Sequence, residues 1–251
     1  HSDTNGAFTS VASVVEATAT AGNIDAIYFV VQRQVNGNTV QYVERLAERA
    51  FPNGLASAWC VDAGLAYTGV ATLSFTGAQH LAGMQVVGIA TTDTGTTAAI
   101  TPLTVSTTGT FTLPAPASPA TGYTYVLIGL AFTAQVQTLA LDLGDPTLQG
   151  KVKKISSADV RVSETLGLSI GSDFDHLVAM KDLVVGNVSS MLTGQASQLV
   201  ADLYDGDART FLDPTFTVPG QYCIQQSNPF PATVLGVISE YTQGDTGRQR
   251  A

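Results

Sequence analysis

Hydrophobic and polar positions alternate most clearly between residues 26 and 46, AIYFVVQRQVNGNTVQYVERL. Ile27, Phe29 and Val31 fall on one face of a first strand, and Tyr28, Val30 and Gln32 on the other. Asn36-Gly37 separates the two arms, and that pair tolerates the positive φ angles of a two-residue type I′ turn. The pattern predicts a β-hairpin, with an earlier strand around residues 11–15 beside it. Phe51-Pro52-Asn53-Gly54 punctuates its end.

Short Thr- and Val-rich strands are predicted next, at residues 69–75, 84–90, 98–105 and 109–113, with Gly, Pro and Asp-Thr-Gly turns between them. Residues 114–120, PAPASPA, read as a stiff, extended connector. Residues 149–161 predict a long strand with a bulge at Ser156-Ser157. Residues 215–218 are expected to pair with 221–225 across Pro219-Gly220, and the apolar run 232–239 to form a central strand. No window sustains a helical period with caps; only short turns at 78–81 and 134–139 are expected. The fold class is therefore all-β, with antiparallel sheets and very little helix. Residues 1–63 form a hairpin sheet, 64–130 a small barrel or sandwich, and 131–251 a C-terminal sandwich. No run of about 18 apolar residues is present, so no membrane segment is expected.

Composition narrows the function. Charged residues make up 12% of the 251 positions, against about 25% in ordinary globular domains. Neutral Thr, Ser, Ala and Gly take their place, a surface suited to contact with neighbouring subunits. The net charge of −9 repels phosphate and argues against non-specific nucleic-acid binding. Lys151, Lys153 and Lys154 are the one tight basic group and read as a solvated or subunit-contacting strand edge. Cys60 and Cys223 match no metal or redox spacing and read as small core residues, with their pairing left open. The opening His1-Ser2-Asp3, without Met or signal-peptide regions, reads as the start of a fragment of something longer.

Catalytic signatures are scarce. His80 and His176 are isolated, Ser74 and Ser106 have no evident base, and no HExxH, GxSxG or phosphate-binding loop occurs. An enzyme is not expected, nor is a cofactor. Asp202, Asp205 and Asp207 in DLYDGD are weak calcium candidates, as are Asp173 and Asp175 in GSDFDH. Both clusters lack EF-hand spacing, and turn residues bonding their own backbone explain them more cheaply. Paired-carboxylate glycoside chemistry also needs aromatic platforms, of which the single Trp59 offers little.

The hairpin wording, followed by CVDAGLAYTG at 60–69, resembles the tail nozzle, or tail hub, proteins of short-tailed bacteriophages and related prophages. The matching positions are Arg33, Asn36, Gly37, Tyr42, Val43, Glu44, Arg45, Asp62, Leu65 and Tyr67. Residues 75–90, 126–143, 149–171 and 228–241 resemble later segments of the family in the same order. Gly129-Leu130-Ala131-Phe132 stands where a Gly-Leu-x-Tyr is usual. The resemblance implies a structural protein of the virion, made in the host cytoplasm. It implies a ring, usually of six copies, joined to other tail proteins, with DNA passing through only as cargo. The hairpin sheet would be the remnant of a β-propeller blade. An acidic bore would let duplex slide, and Asp142, Asp145 and Asp205 are candidates to line it. Glu44 and Arg45 read better as cross-strand partners within one sheet than as subunit contacts.

The alternative is a carbohydrate- or receptor-binding β module on a virion or bacterial surface, which an exposed patch of Tyr123, Tyr125 and Phe132 would favour. A tail-associated depolymerase stands third; it would need two carboxylates facing each other across a groove.

Overall fold

The computed structural model describes residues 5–18, 22–142, 150–183, 203–212, 216–217 and 220–244. The chain divides into two compact units, one holding described residues 5–132 and the other described residues 133–244. The expected first and second zones therefore share one unit.

In the first unit, strands β1 (Ala7–Thr18), β2 (Gly22–Val35) and β3 (Asn38–Arg45) form a three-stranded antiparallel meander. The predicted turn closes it: Val35 pairs with Asn38, and Asn36 and Gly37 adopt φ of 49° and 78°. A four-stranded sheet follows in the order β4-β9-β6-β7, from β4 (Asp62–Thr72), β6 (Gln85–Thr92), β7 (Thr97–Thr104) and β9 (Tyr123–Leu130). A short ladder joins β5 (Ser74–Phe75) to β8 (Phe111–Thr112). Strand β9 lies between β4 and β6 and is buried along most of its length, as the VLIGL run requires of a central strand. Val126 and Ile128 pack into a core with Leu81, Val86, Val105 and Phe111. Phe75 stacks on Phe111 at 5.0 Å, and Tyr67 meets Phe75 edge-on at 5.1 Å.

The second unit contains two sheets. Strands β10 (Ala134–Gln137), β12 (Ser169–Gly171), β13 (Leu177–Ala179) and β16 (Cys223–Gln226) are ordered β10-β16-β12-β13. The long β11 (Lys153–Thr165) is the spine of the other sheet. It pairs with β14 (Tyr204–Phe211) and β15 (Phe216–Thr217) along one edge and with β17 (Val234–Gln243) along the other. The register shift between Ile155 and Ser157 is the predicted bulge. The core gathers Ile155, Val160, Leu168, Ile170, Met180 and Ile224.

Several expectations are corrected. Every described sheet is open, so the barrel alternative for 64–130 falls. Strand β17 is an edge strand, with Leu235 62% exposed, because β14 and β15 already hold the other edge of β11. β15 and β16 do not pair with each other: the first joins β11 and the second joins β10 and β12. Residues 134–137 are a strand, since Val136 sits opposite Ile224 in the β16 ladder. Lys153 is buried, with its aliphatic stem against Gly220, instead of lying on a solvated edge. Among the described residues no α-helix occurs, only 3₁₀ turns such as Gly54–Ser57 and Gln79–Leu81, and no helix is long and apolar enough to cross a membrane.

Gly88 tests the close approach of β6 and β9. A Cβ there would lie 1.8 Å from the Leu127 carbonyl oxygen, whereas one at Gly236 meets nothing within 4 Å. Urea melts should show Gly88→Ala costing about 4 kcal/mol or more and Gly236→Ala staying within about 1 kcal/mol of the parent. Equal losses would refute the packing at Gly88.

Candidate functional site

The hairpin places Phe29, Val31 and Arg33 of β2 on one face with Val40, Tyr42 and Glu44 of β3. Arg33 lies opposite Val40 and Glu44 opposite Phe29, so the pair spans that face lengthwise. Its guanidinium, on a residue only 5% exposed, donates Nη1–H and Nη2–H to the two carboxylate oxygens of Glu44, the latter at 3.0 Å. Nε–H donates to the Asn5 carbonyl at 2.5 Å. The Asn5 side-chain amide then donates to Asp62 Oδ2 and to the Ala131 carbonyl, each at 2.8 Å. One network thus ties the hairpin to the start of β4 and the end of β9. Burial lowers the Arg33 pKa from its ordinary value, opposed by the nearby Asp62 and Tyr42.

Local backbone chemistry makes this crossing feasible. Gly6 has φ of 140°, and a Cβ there would come 2.8 Å from Arg33 Cγ. Ala63 has φ of 52° at the register break between Asp62 and Leu65, a left-handed conformation that costs about 1–2 kcal/mol. The Ala63 carbonyl is held by His80 Nε2 at 3.0 Å, and the His80 ring stands edge-on to Tyr42 at 6.1 Å. These residues surround a cavity of about 630 Å³ whose walls include Phe8, Phe29, Tyr42, Trp59 and Phe132. Gly64 has no side chain to hold the Trp59 ring off; a Cβ there would lie 2.9 Å from it.

Of the family-motif positions, Arg33, Tyr42, Glu44, Arg45 and Asp62 all line this cavity. Asn36 and Gly37 form the turn, where Asn36 approaches Gly83. Tyr67 lies elsewhere, with its hydroxyl donating to the Val70 carbonyl at 3.0 Å. Glu44 is a cross-strand partner as expected; Arg45 lies opposite Tyr28 in the same ladder and also reaches Glu48 at 3.4 Å. Asn5, Trp59 and His80 complete the site, and no local sequence signal singled out any of them as such.

The acidic clusters are spent on the chain itself. Asp205 accepts from the Ser163 hydroxyl at 2.6 Å and the Glu164 N–H at 3.0 Å, which holds its pKa below the usual carboxylate value. Asp207 receives Arg161 through two bonds of 2.7 and 2.8 Å, and its pKa is lowered likewise. Asp173 takes the His176 ring and the N–H groups of Asp175 and His176, and its pKa falls chiefly through that ring. Asp202 and Asp145 lie outside the described residues. Among the described residues no group of three or more acidic, His or Cys side chains is placed to hold a metal. Tyr123 is a core residue bonding the Pro114 carbonyl, so it forms no exposed aromatic patch with Tyr125 and Phe132. Cys60 and Cys223 are both free thiols. Burial pushes Cys60 up to about 11, leaving it almost wholly protonated and unreactive at neutral pH.

No protein-family model matches the chain, and no curated protein matches it.

Removing the acid leaves a buried guanidinium short of its partner. Glu44→Gln should therefore cost about 3 kcal/mol in urea unfolding followed by Trp59 fluorescence. Arg33→Met combined with Glu44→Leu should recover most of that loss. A loss of less than about 0.5 kcal/mol in Glu44→Gln would show the pair to be solvent-screened.

Proposed function

We propose that the chain is a structural subunit of a nozzle or hub ring in a short-tailed phage tail, through which DNA leaves the capsid. The observation that carries this reading is the use made of the motif residues. Arg33, Glu44 and Asp62, separated along the chain, spend their charges on one network that fastens two sheets together. That is work for an architectural element. Among the described residues, no Ser, Thr or Cys side chain joins them in the cavity wall.

Two further features support it. The net charge of −9 suits a bore that duplex must pass without sticking. Strands β1 and β17 each pair on one edge only among the described residues, and Val11 and Leu235 on them are 61% and 62% exposed. Such edges suit heterologous contacts closing a ring.

Light scattering and negative-stain microscopy test the reading. The expected species is a ring whose mass is several times the 26.0 kDa of one chain, unchanged by a calcium chelator. A chelator-sensitive monomer that forms no rings at any concentration would favour the binding-module alternative.

A further inference from the structure

We infer that the cavity beside Arg33 is a binding site for a neutral, polyhydroxylated small molecule, a mono- or disaccharide. The inference is independent of the ring reading, since a ring subunit and a free-standing module would carry the pocket equally. Its volume of about 630 Å³ falls within the range of about 300–1,000 Å³ that small-molecule sites occupy.

Aromatic walls supply flat apolar surfaces. Phe29, Tyr42, Trp59 and Phe132 contribute rings, and the C–H faces of a pyranose are the natural match for such rings. The network supplies hydrogen-bonding groups that the protein leaves uncommitted. Three of the five Arg33 N–H groups are taken, by Asn5 and Glu44, so two remain. The His80 ring donates through Nε2 to the Ala63 carbonyl, and in a neutral imidazole that bond makes Nδ1 the acceptor. The Tyr42 hydroxyl and the Trp59 indole N–H have no partner among the described residues. Donors and acceptors of both kinds, set among rings, fit hydroxyl groups, which both give and accept.

Charge selects against ions. Arg33 and Arg45 are matched in the cavity wall by Glu44 and Asp62. An anionic ligand would meet those acids and a cationic one would compete with Arg33 for them, and either cost falls in a half-buried setting. Trp59, 41% exposed, stands where the cavity meets solvent and is the chain's single tryptophan.

Trp59 fluorescence therefore reads the site directly. The chain is titrated with glucose, galactose, mannose, N-acetylglucosamine, maltose and lactose, and with glucuronate as the anionic comparison. At least one neutral sugar should give a saturable change with a Kd of about 1 mM or tighter. Tyr42→Phe should weaken it about 3–10-fold. Tyr67→Phe, which removes a hydroxyl outside the cavity, should leave it unchanged. The inference is overturned if no neutral sugar saturates the signal, if glucuronate binds more tightly than the neutral sugars, or if Tyr42→Phe binds like the parent. Circular dichroism on each variant establishes that it folds before its affinity is compared.

Discussion

The first unit depends on a single buried guanidinium. Arg33 sits near the turn end of a sheet face that also carries Phe29, Val31, Val40 and Tyr42, and a buried charge in that position is tolerated only with partners on several sides. Those partners come from three stretches of chain: Glu44 from the same hairpin, the Asn5 carbonyl from the segment leading into β1, and Asp62 through the Asn5 amide. Because each partner is fixed by a different element, satisfying Arg33 sets the relation of the hairpin to β4 and β9. Gly6 gives the crossing segment room to pass over the Arg33 stem.

The cavity is a by-product of the same constraint. A wholly apolar face could have packed flush against β4, but a bidentate ion pair with a spanning amide holds the surfaces apart at that point. The space is bounded by rings instead of filled by them, and the positive φ of Ala63 at its rim turns a carbonyl toward His80. Strained backbone beside an aromatic-walled, charge-balanced space is where a fold carries binding capacity. The second unit also buries a cation, Lys153, but at the first residue of β11. Its charged residues Arg161, Asp207, Arg209 and Glu240 lie on the exposed face of the β11 sheet, where ion pairs contribute little to stability.

Local chemistry made much of the fold legible in advance. Asn36-Gly37 encodes its turn within two residues, and the bulge at Ser156 is marked by the break in apolar alternation around it. Partner choice was not legible. The apolar run at 232–239 has the composition of a central strand, yet nothing in it reveals that the far edge of β11 is already occupied. Pro219-Gly220 signals a turn without saying that the strands it joins pair with others. The site divides in the same way: Arg33, Tyr42, Glu44 and Asp62 stand out through a family resemblance, whereas Asn5, Trp59 and His80 join them through contacts between residues far apart in sequence. Trp59 in particular looked too isolated to matter, because its neighbouring rings come from β1, β2, β3 and the end of β9.

Hydrogen–deuterium exchange on an Arg33→Leu variant tests the central claim most directly. If Arg33 couples the hairpin to the second sheet, protection should fall in residues 28–45 and also in residues 62–66 and 127–131, to which the Asn5 amide links it. Loss confined to the hairpin, with β4 and β9 exchanging as in the parent, would contradict the account.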